Sequence, residues 1–151
     1  MSIVLTRPAV DADRQFIVSG WSASYRSSHD IALVPSEWYA DIYHRVINYH
    51  LDRVAVLVAH GETETLFGFI AFDPQTYVAT INDRRVTLDG HVYYIYIAEP
   101  FRRRRIARRL LEAAGIAPDQ RFGFACRTRW SWMLRAKTPN AEYDSFKSRY
   151  S

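Results

Sequence analysis

The chain reads as a mixed α/β, or α+β, domain in which a sheet carries helices on its faces. Three observations predict it. Residues 54–59 and 66–72 are apolar runs separated by a polar stretch, as expected of two paired strands with a turn between them. Trp38, Tyr39, Ile42, Tyr43, Val46, Ile47 and Leu51 recur at spacings of three and four, the signature of one long helix. Residues 91–97 are almost wholly aromatic or β-branched, and Ile106, Ala107, Leu110, Leu111 and Ala114 then repeat at helical spacing, so a strand leads into a helix.

Taken in order, residues 3–8 are short, β-branched and ended by Pro8, which suits a first strand. Asp11 opens a short helix to Ser19, with Phe16 and Val18 as apolar members, and Gly20 is expected to break it. Residues 21–29 read as a polar, aromatic loop, and Pro35 opens the long helix that runs from Ser36 to Leu51. Residues 54–59 and 66–72 form an antiparallel hairpin, and a weaker hairpin spans Tyr77 to Leu88 with Asn82-Asp83 at its tip. After the strand at 91–97, residues 98–101 close it, and the following helix stops at Gly115 and Pro118. Residues 121–127 read as a further strand and 130–134 as the start of a short helix, while 137–151 carry too little periodicity to assign.

The 151 residues suit one domain with its own core. With 48% apolar and 24% charged residues, and six glycines and six prolines, the composition excludes disordered and collagen-like chains. No apolar run approaches the roughly 20 residues of a membrane span, and residues 1–7 lack a signal-peptide pattern, so the expectation is a cytoplasmic protein without a membrane partner. The lone Cys126 makes no internal disulfide and reads as a small apolar residue. The formal charge is +4, and it is concentrated: six of the eight positions from Arg102 to Arg109 are arginine.

Chemistry is expected where that arginine run meets the predicted helix start. A helix N-terminus presents unpaired N–H groups and the positive end of the helix dipole, and guanidinium groups bind phosphate through paired, charge-assisted hydrogen bonds. A pyrophosphate or phosphodiester ligand is the natural partner. The segment Ile95-Tyr96-Ile97-Ala98-Glu99-Pro100-Phe101-Arg102-Arg103-Arg104-Arg105-Ile106-Ala107-Arg108-Arg109-Leu110-Leu111 resembles the acetyl-CoA motif of the GNAT superfamily of N-acetyltransferases, an apolar strand, then Arg/Gln-x-x-Gly-x-Gly/Ala, then a helix with a Leu-Leu pair. Arg102 and Ala107 match its first and last positions, and Arg105 stands where the family usually has the central glycine. The hairpin at 54–72 resembles the family's second and third strands, and small phage and prophage GNAT-like proteins look similar.

The resemblance implies a single domain over residues 1–151 with a mostly antiparallel central sheet, and an N-acyltransferase that uses acetyl-CoA as co-substrate. It implies a donor site formed by Ile95, Tyr96, Ile97, Arg102, Arg103, Arg104, Arg105, Ile106, Ala107 and Arg108, in which the main chain of Ile95 and Ile97 pairs with the pantetheine arm and the amides from Arg103 to Ala107 hold the pyrophosphate. It also places the acceptor pocket near Trp21, Ser24 and Tyr25.

Amine acylation needs a base and an acid. Histidine as a residue type changes charge near neutral pH, which makes His91 the candidate base. Tyr143, in Asn140-Ala141-Glu142-Tyr143, is the candidate acid, faintly like the family's Asn-x-x-Ala-x-x-x-Tyr pattern at a different spacing. The alternative reading is a nucleic-acid-binding or nucleic-acid-modifying module whose arginine run contacts phosphates without acetyl transfer. No phosphate loop or nucleophile elbow is present, and His44 and His50, six residues apart, lack a zinc spacing, so no metal is expected.

Overall fold

The computed structural model describes residues 3–26, 44–45, 47–49, 51–102, 104–117, 119–124 and 142–143. The strands are β1 (Leu5–Pro8), β2 (Ala55–His60), β3 (Leu66–Asp73), β4 (Tyr77–Ile81), β5 (Arg84–Leu88), β6 (His91–Ile97), β7 (Gly123–Phe124) and β8 (Glu142–Tyr143). Two helices described from end to end accompany them, α1 (Arg14–Arg26) and α2 (Ile106–Ala113), each preceded by a 3-10 turn, Asp11–Asp13 and Glu99–Phe101. The expected long helix at 36–51 falls mostly outside the described residues. Those of it that are described at 44–45, 47–49 and 51 are helical, and Ile47 is fully buried. Cys126 and the helix expected at 130–134 also lie outside them.

Six strands form one sheet in the order β1-β2-β3-β6-β7-β8. The pairings β1·β2, β2·β3 and β3·β6 are antiparallel, and β6·β7 and β7·β8 are parallel. The mixed, mostly antiparallel sheet is the architecture expected. The β4–β5 hairpin stands apart as a two-stranded sheet, and its tip residues Asn82 and Asp83 take positive φ of 50° and 62°, the left-handed pair of a tight hairpin turn.

β3 is buried on both faces, as its continuous apolar run predicts. On one face Ile70 and Phe72 pack with Val92, Ile97 and the α2 residues Ile106, Leu110 and Leu111. On the other, Phe69 and Ala71 pack with Val58, Tyr93, Tyr94 and the α1 residues Ile17 and Trp21. Two irregularities in the ladder allot these side chains. Ala59 and His60 pair with Gly68 and Leu66, which makes Phe67 an extra residue and brings its ring to 4.4 Å from Phe101. Ala71 and Phe72 pair with Tyr94 and Val92, so Tyr93 is extra, and Val92, Ile95 and Ile97 share the α2 face despite breaking strict alternation.

The helix expected to end at Gly20 continues to Arg26. Gly20 is there for space: a Cβ on it would meet the Tyr96 ring at 2.8 Å, so its bare backbone lets α1 lie directly on β6. The start of α1 is pinned by an ion pair. Asp13 is buried and accepts from Arg7 Nη1 at 2.7 Å and Nη2 at 3.1 Å, and from the Val10 N–H at 2.9 Å.

The Arg7 hydrogen bond, helped by the Val10 N–H, holds the Asp13 carboxyl below the usual carboxylate range although burial works against it. Because the folded pKa is depressed, this stabilisation is complete above the unfolded value of about 4 and is lost as pH falls through the lower folded value. Asp13→Asn is therefore expected to cost about 2 kcal/mol at pH 7. In thermal melts the gap between wild type and variant should begin to narrow once the pH drops below about 4 and close only as it falls through the lower folded value.

Candidate functional site

The candidate site is built where β6 ends and α2 begins. The 3-10 turn Glu99–Phe101 closes with Phe101 N–H donating to the Ala98 carbonyl at 2.9 Å and Arg102 N–H to that of Glu99 at 3.3 Å. Phe101 packs on Phe67 and carries the Arg104 guanidinium 5.9 Å from its ring centre. Ile106 is buried against the sheet, so α2 starts from a fixed point, whereas Arg104, Arg105, Arg108 and Arg109 are exposed. Arg108 lies 3.2 Å from Glu112 one turn on. Arg103 lies outside the described residues.

Arg105 is the cap of α2 and adopts φ 61°, ψ 20°, the left-handed region that glycine occupies without strain. The backbone thus follows the path that a motif glycine would allow. No side chain caps the helix start, so the first-turn amides, including those of Ile106 and Ala107, remain directed at whatever lies in front of the turn. Arg105→Gly removes the strain of a side chain at positive φ and is expected to raise stability by about 1 kcal/mol. Thermal melting should register a gain of about 3 °C, and Arg105→Ala, which keeps a Cβ, should not show it.

The strand contributes its main chain. A Cβ on Gly68 would collide with the Tyr96 carbonyl oxygen, and Ala98 N–H donates to the Phe67 carbonyl at 2.8 Å, so the polar groups of residues 96 and 98 point at β3. Main-chain groups alternate along a strand, which turns those of Ile95 and Ile97 to the opposite edge. Among the described residues β7 pairs with β6 only at His91 and Val92 and does not reach that stretch. An extended ligand with amide groups can be met there. One of those groups is already engaged, because Arg102 Nε donates to the Ile97 carbonyl at 2.9 Å.

Other expected site residues fall elsewhere. His91 is 0% exposed, its Nδ1 lies 2.8 Å from Tyr77 Oη, and Tyr93 packs edge-on at 4.7 Å. It begins β6, about 20 Å of extended strand from Ile97. Through Tyr77 the enclosed imidazole ties the β4–β5 hairpin to the main sheet, and its place at the start of β6 sets this candidate base apart from the strand–turn–helix junction. Gly123 makes that contact possible, since a Cβ there would collide with Tyr77 Oη and approach His91 Nδ1 to 2.7 Å.

Trp21 is 1% exposed and stacks on Tyr94 at 5.1 Å, which makes it a core anchor on the α1 face of the sheet. Ser24 and Tyr25 belong to the last turns of α1, where sequence expected a loop, and their side chains lie outside the described residues. Tyr96, half-buried, turns its ring to the α1 side against Gly20 and Phe16. Tyr143 belongs to β8, and its main chain pairs with Phe124, which pairs with Val92, so it sits two strands from β6. The Arg102 clamp and the space that Gly68 leaves were not anticipated; the one sequence signal for them was a glycine inside an apolar strand.

This fold and strand–turn–helix site define an acetyltransferase class. The acetyltransferase (GNAT) family profile matches residues 17–130, and the chain belongs to that family. No curated protein matches the sequence. Among solved structures, it is similar to a histone acetyltransferase HPA2 and related acetyltransferase from Corynebacterium glutamicum ATCC 13032, at 16% identity and TM-score 0.62, over 90% of this chain and 83% of that one. It is also similar to a GCN5-related N-acetyltransferase from Ralstonia eutropha JMP134, at 18% identity and TM-score 0.60, over 89% and 90%. A third similarity is to a fungal multi-domain GH3 β-N-acetylglucosaminidase with a GCN5-related glucosamine N-acetyltransferase region, at 14% identity and TM-score 0.51. It covers 76% of this chain and 12% of that much longer one. At these identities the likeness is one of fold, and it lends no support to the resemblance to phage proteins.

Proposed function

We propose that the protein is an acyl-CoA-dependent N-acyltransferase that moves an acetyl group from acetyl-CoA to an amine. The observation that carries this reading is the left-handed Arg105 at the start of α2, which keeps the motif's backbone path despite the loss of its glycine. In this reading the first-turn amides of α2 and the exposed Arg104 and Arg105 hold the pyrophosphate. The outward main-chain groups of Ile95 and Ile97 align the pantetheine arm, and together they fix the thioester for direct attack. Acetyl-CoA supplies an activated acyl group, and the protein's share is to orient it beside a neutral amine. The acid that returns a proton to the leaving thiolate is assigned to Tyr143, on the strand two places from β6.

Acetyl-CoA at a hundredfold excess over its Kd is expected to add about 2.7 kcal/mol to stability, visible as a rise of roughly 8 °C in Tm. An unchanged Tm, with no CoA recovered by mass spectrometry, would sink the proposal. The exposed Arg104, Arg105, Arg108 and Arg109 support the second reading, a nucleic-acid contact surface. Binding of a short DNA or RNA duplex that weakens steeply with salt, with no response to acetyl-CoA, would put that reading in its place.

A further inference from the structure

Eight residues, 98–105, join the β6 edge to the first turn of α2, and the first five of them form one closed unit. These five are closed by the 3-10 turn and, across its mouth, by the bond from Arg102 Nε to the Ile97 carbonyl at 2.9 Å. That carbonyl is the last outward-facing acceptor of β6, and Arg102, half-buried, spends its Nε–H on it. Arg102 therefore fastens the strand's end to the helix's approach. A ligand that touches both ends depends on their separation, whereas a ligand that touches one end does not.

We infer that Arg102 is a positioning residue. Its Nε–H bond to Ile97, and not its charge, sets the distance between the β6 edge and the α2 amides, and hence the register in which the pantetheine arm and the pyrophosphate of a CoA thioester are held together. The inference rests on the reading of this junction as a CoA site.

Side-chain chemistry separates the two roles. Gln carries its amide nitrogen the same number of bonds from Cα as Arg carries Nε, so Arg102→Gln keeps the donor in place and removes the charge. Arg102→Lys keeps the charge but carries its only nitrogen one carbon further out. CoA and ADP are titrated calorimetrically against wild type and both variants, with a melting curve of each to establish folding. ADP carries the pyrophosphate without the pantetheine arm.

The expected result is that Arg102→Gln holds CoA within about threefold of wild type, while Arg102→Lys weakens CoA about tenfold and ADP less than about twofold. Should Arg102→Lys fail to fold, Arg102→Met, of similar length and without a donor, replaces it with the same expectation. Retention of both ligands by Lys and loss of both by Gln would overturn the inference, because Arg102 would then be a phosphate contact. Equal losses of CoA and ADP in both variants would also overturn it. Wild type that binds neither ligand removes the CoA reading itself, which a failure of the positioning role alone does not.

Discussion

Replacing Gly68 by alanine is expected to destabilise the protein by about 3 kcal/mol or more, lowering Tm by roughly 10 °C. The added Cβ would collide with the Tyr96 carbonyl oxygen and meet Ile97 Cδ1 at 2.8 Å and Ile97 Cα at 3.1 Å. Two of these three neighbours are backbone atoms of a central strand pair, which cannot turn aside as a side-chain tip can. Gly115→Ala makes the comparison: Gly115 sits at φ 78° with nothing within 4 Å of a Cβ, so alanine there meets only conformational strain, about 1 kcal/mol. Paired melting curves should show the larger loss at Gly68. Equal losses would mean that β3 and β6 lie further apart than the structure has them.

Trp21→Ala is expected to cost about 4 kcal/mol, because the ring fills space between Tyr94 and Phe69 that no neighbour can reclaim. Trp21→Phe keeps an aromatic body and should cost well under half of that. The midpoint of urea unfolding measures both. A loss below about 0.5 kcal/mol for the alanine variant would mean that the ring does not anchor the core.

The strands that carry continuous apolar or aromatic runs were legible in advance, since β3 and β6 need such residues on both faces. The arginine-rich turn was legible for a similar reason: charge confined to one turn after a strand has few structural uses. Gly20 misled because glycine is usually a breaker, and only the Tyr96 ring pressed against it explains a glycine inside α1. The enclosure of His91 was not legible, because a titratable side chain says nothing of its own surroundings. Tyr77 lies fourteen residues earlier in the chain, and the hairpin brings its hydroxyl to the imidazole.

By itself the sequence determined the mixed α/β class, the strand–turn–helix at residues 91–115 and the concentration of positive charge at its turn. Periodicity and local charge act over a few residues and are written into any short stretch of chain. Tertiary structure alone decided which face each residue of β6 takes, since the extra residue Tyr93 shifts the alternation only once β3 is paired beside it. It decided likewise that Arg105 keeps a glycine's conformation and that Arg102 spends its Nε–H on the Ile97 carbonyl. Those outcomes depend on how strand, turn and helix are held against one another, and contacts between elements distant in the chain leave no period in its sequence.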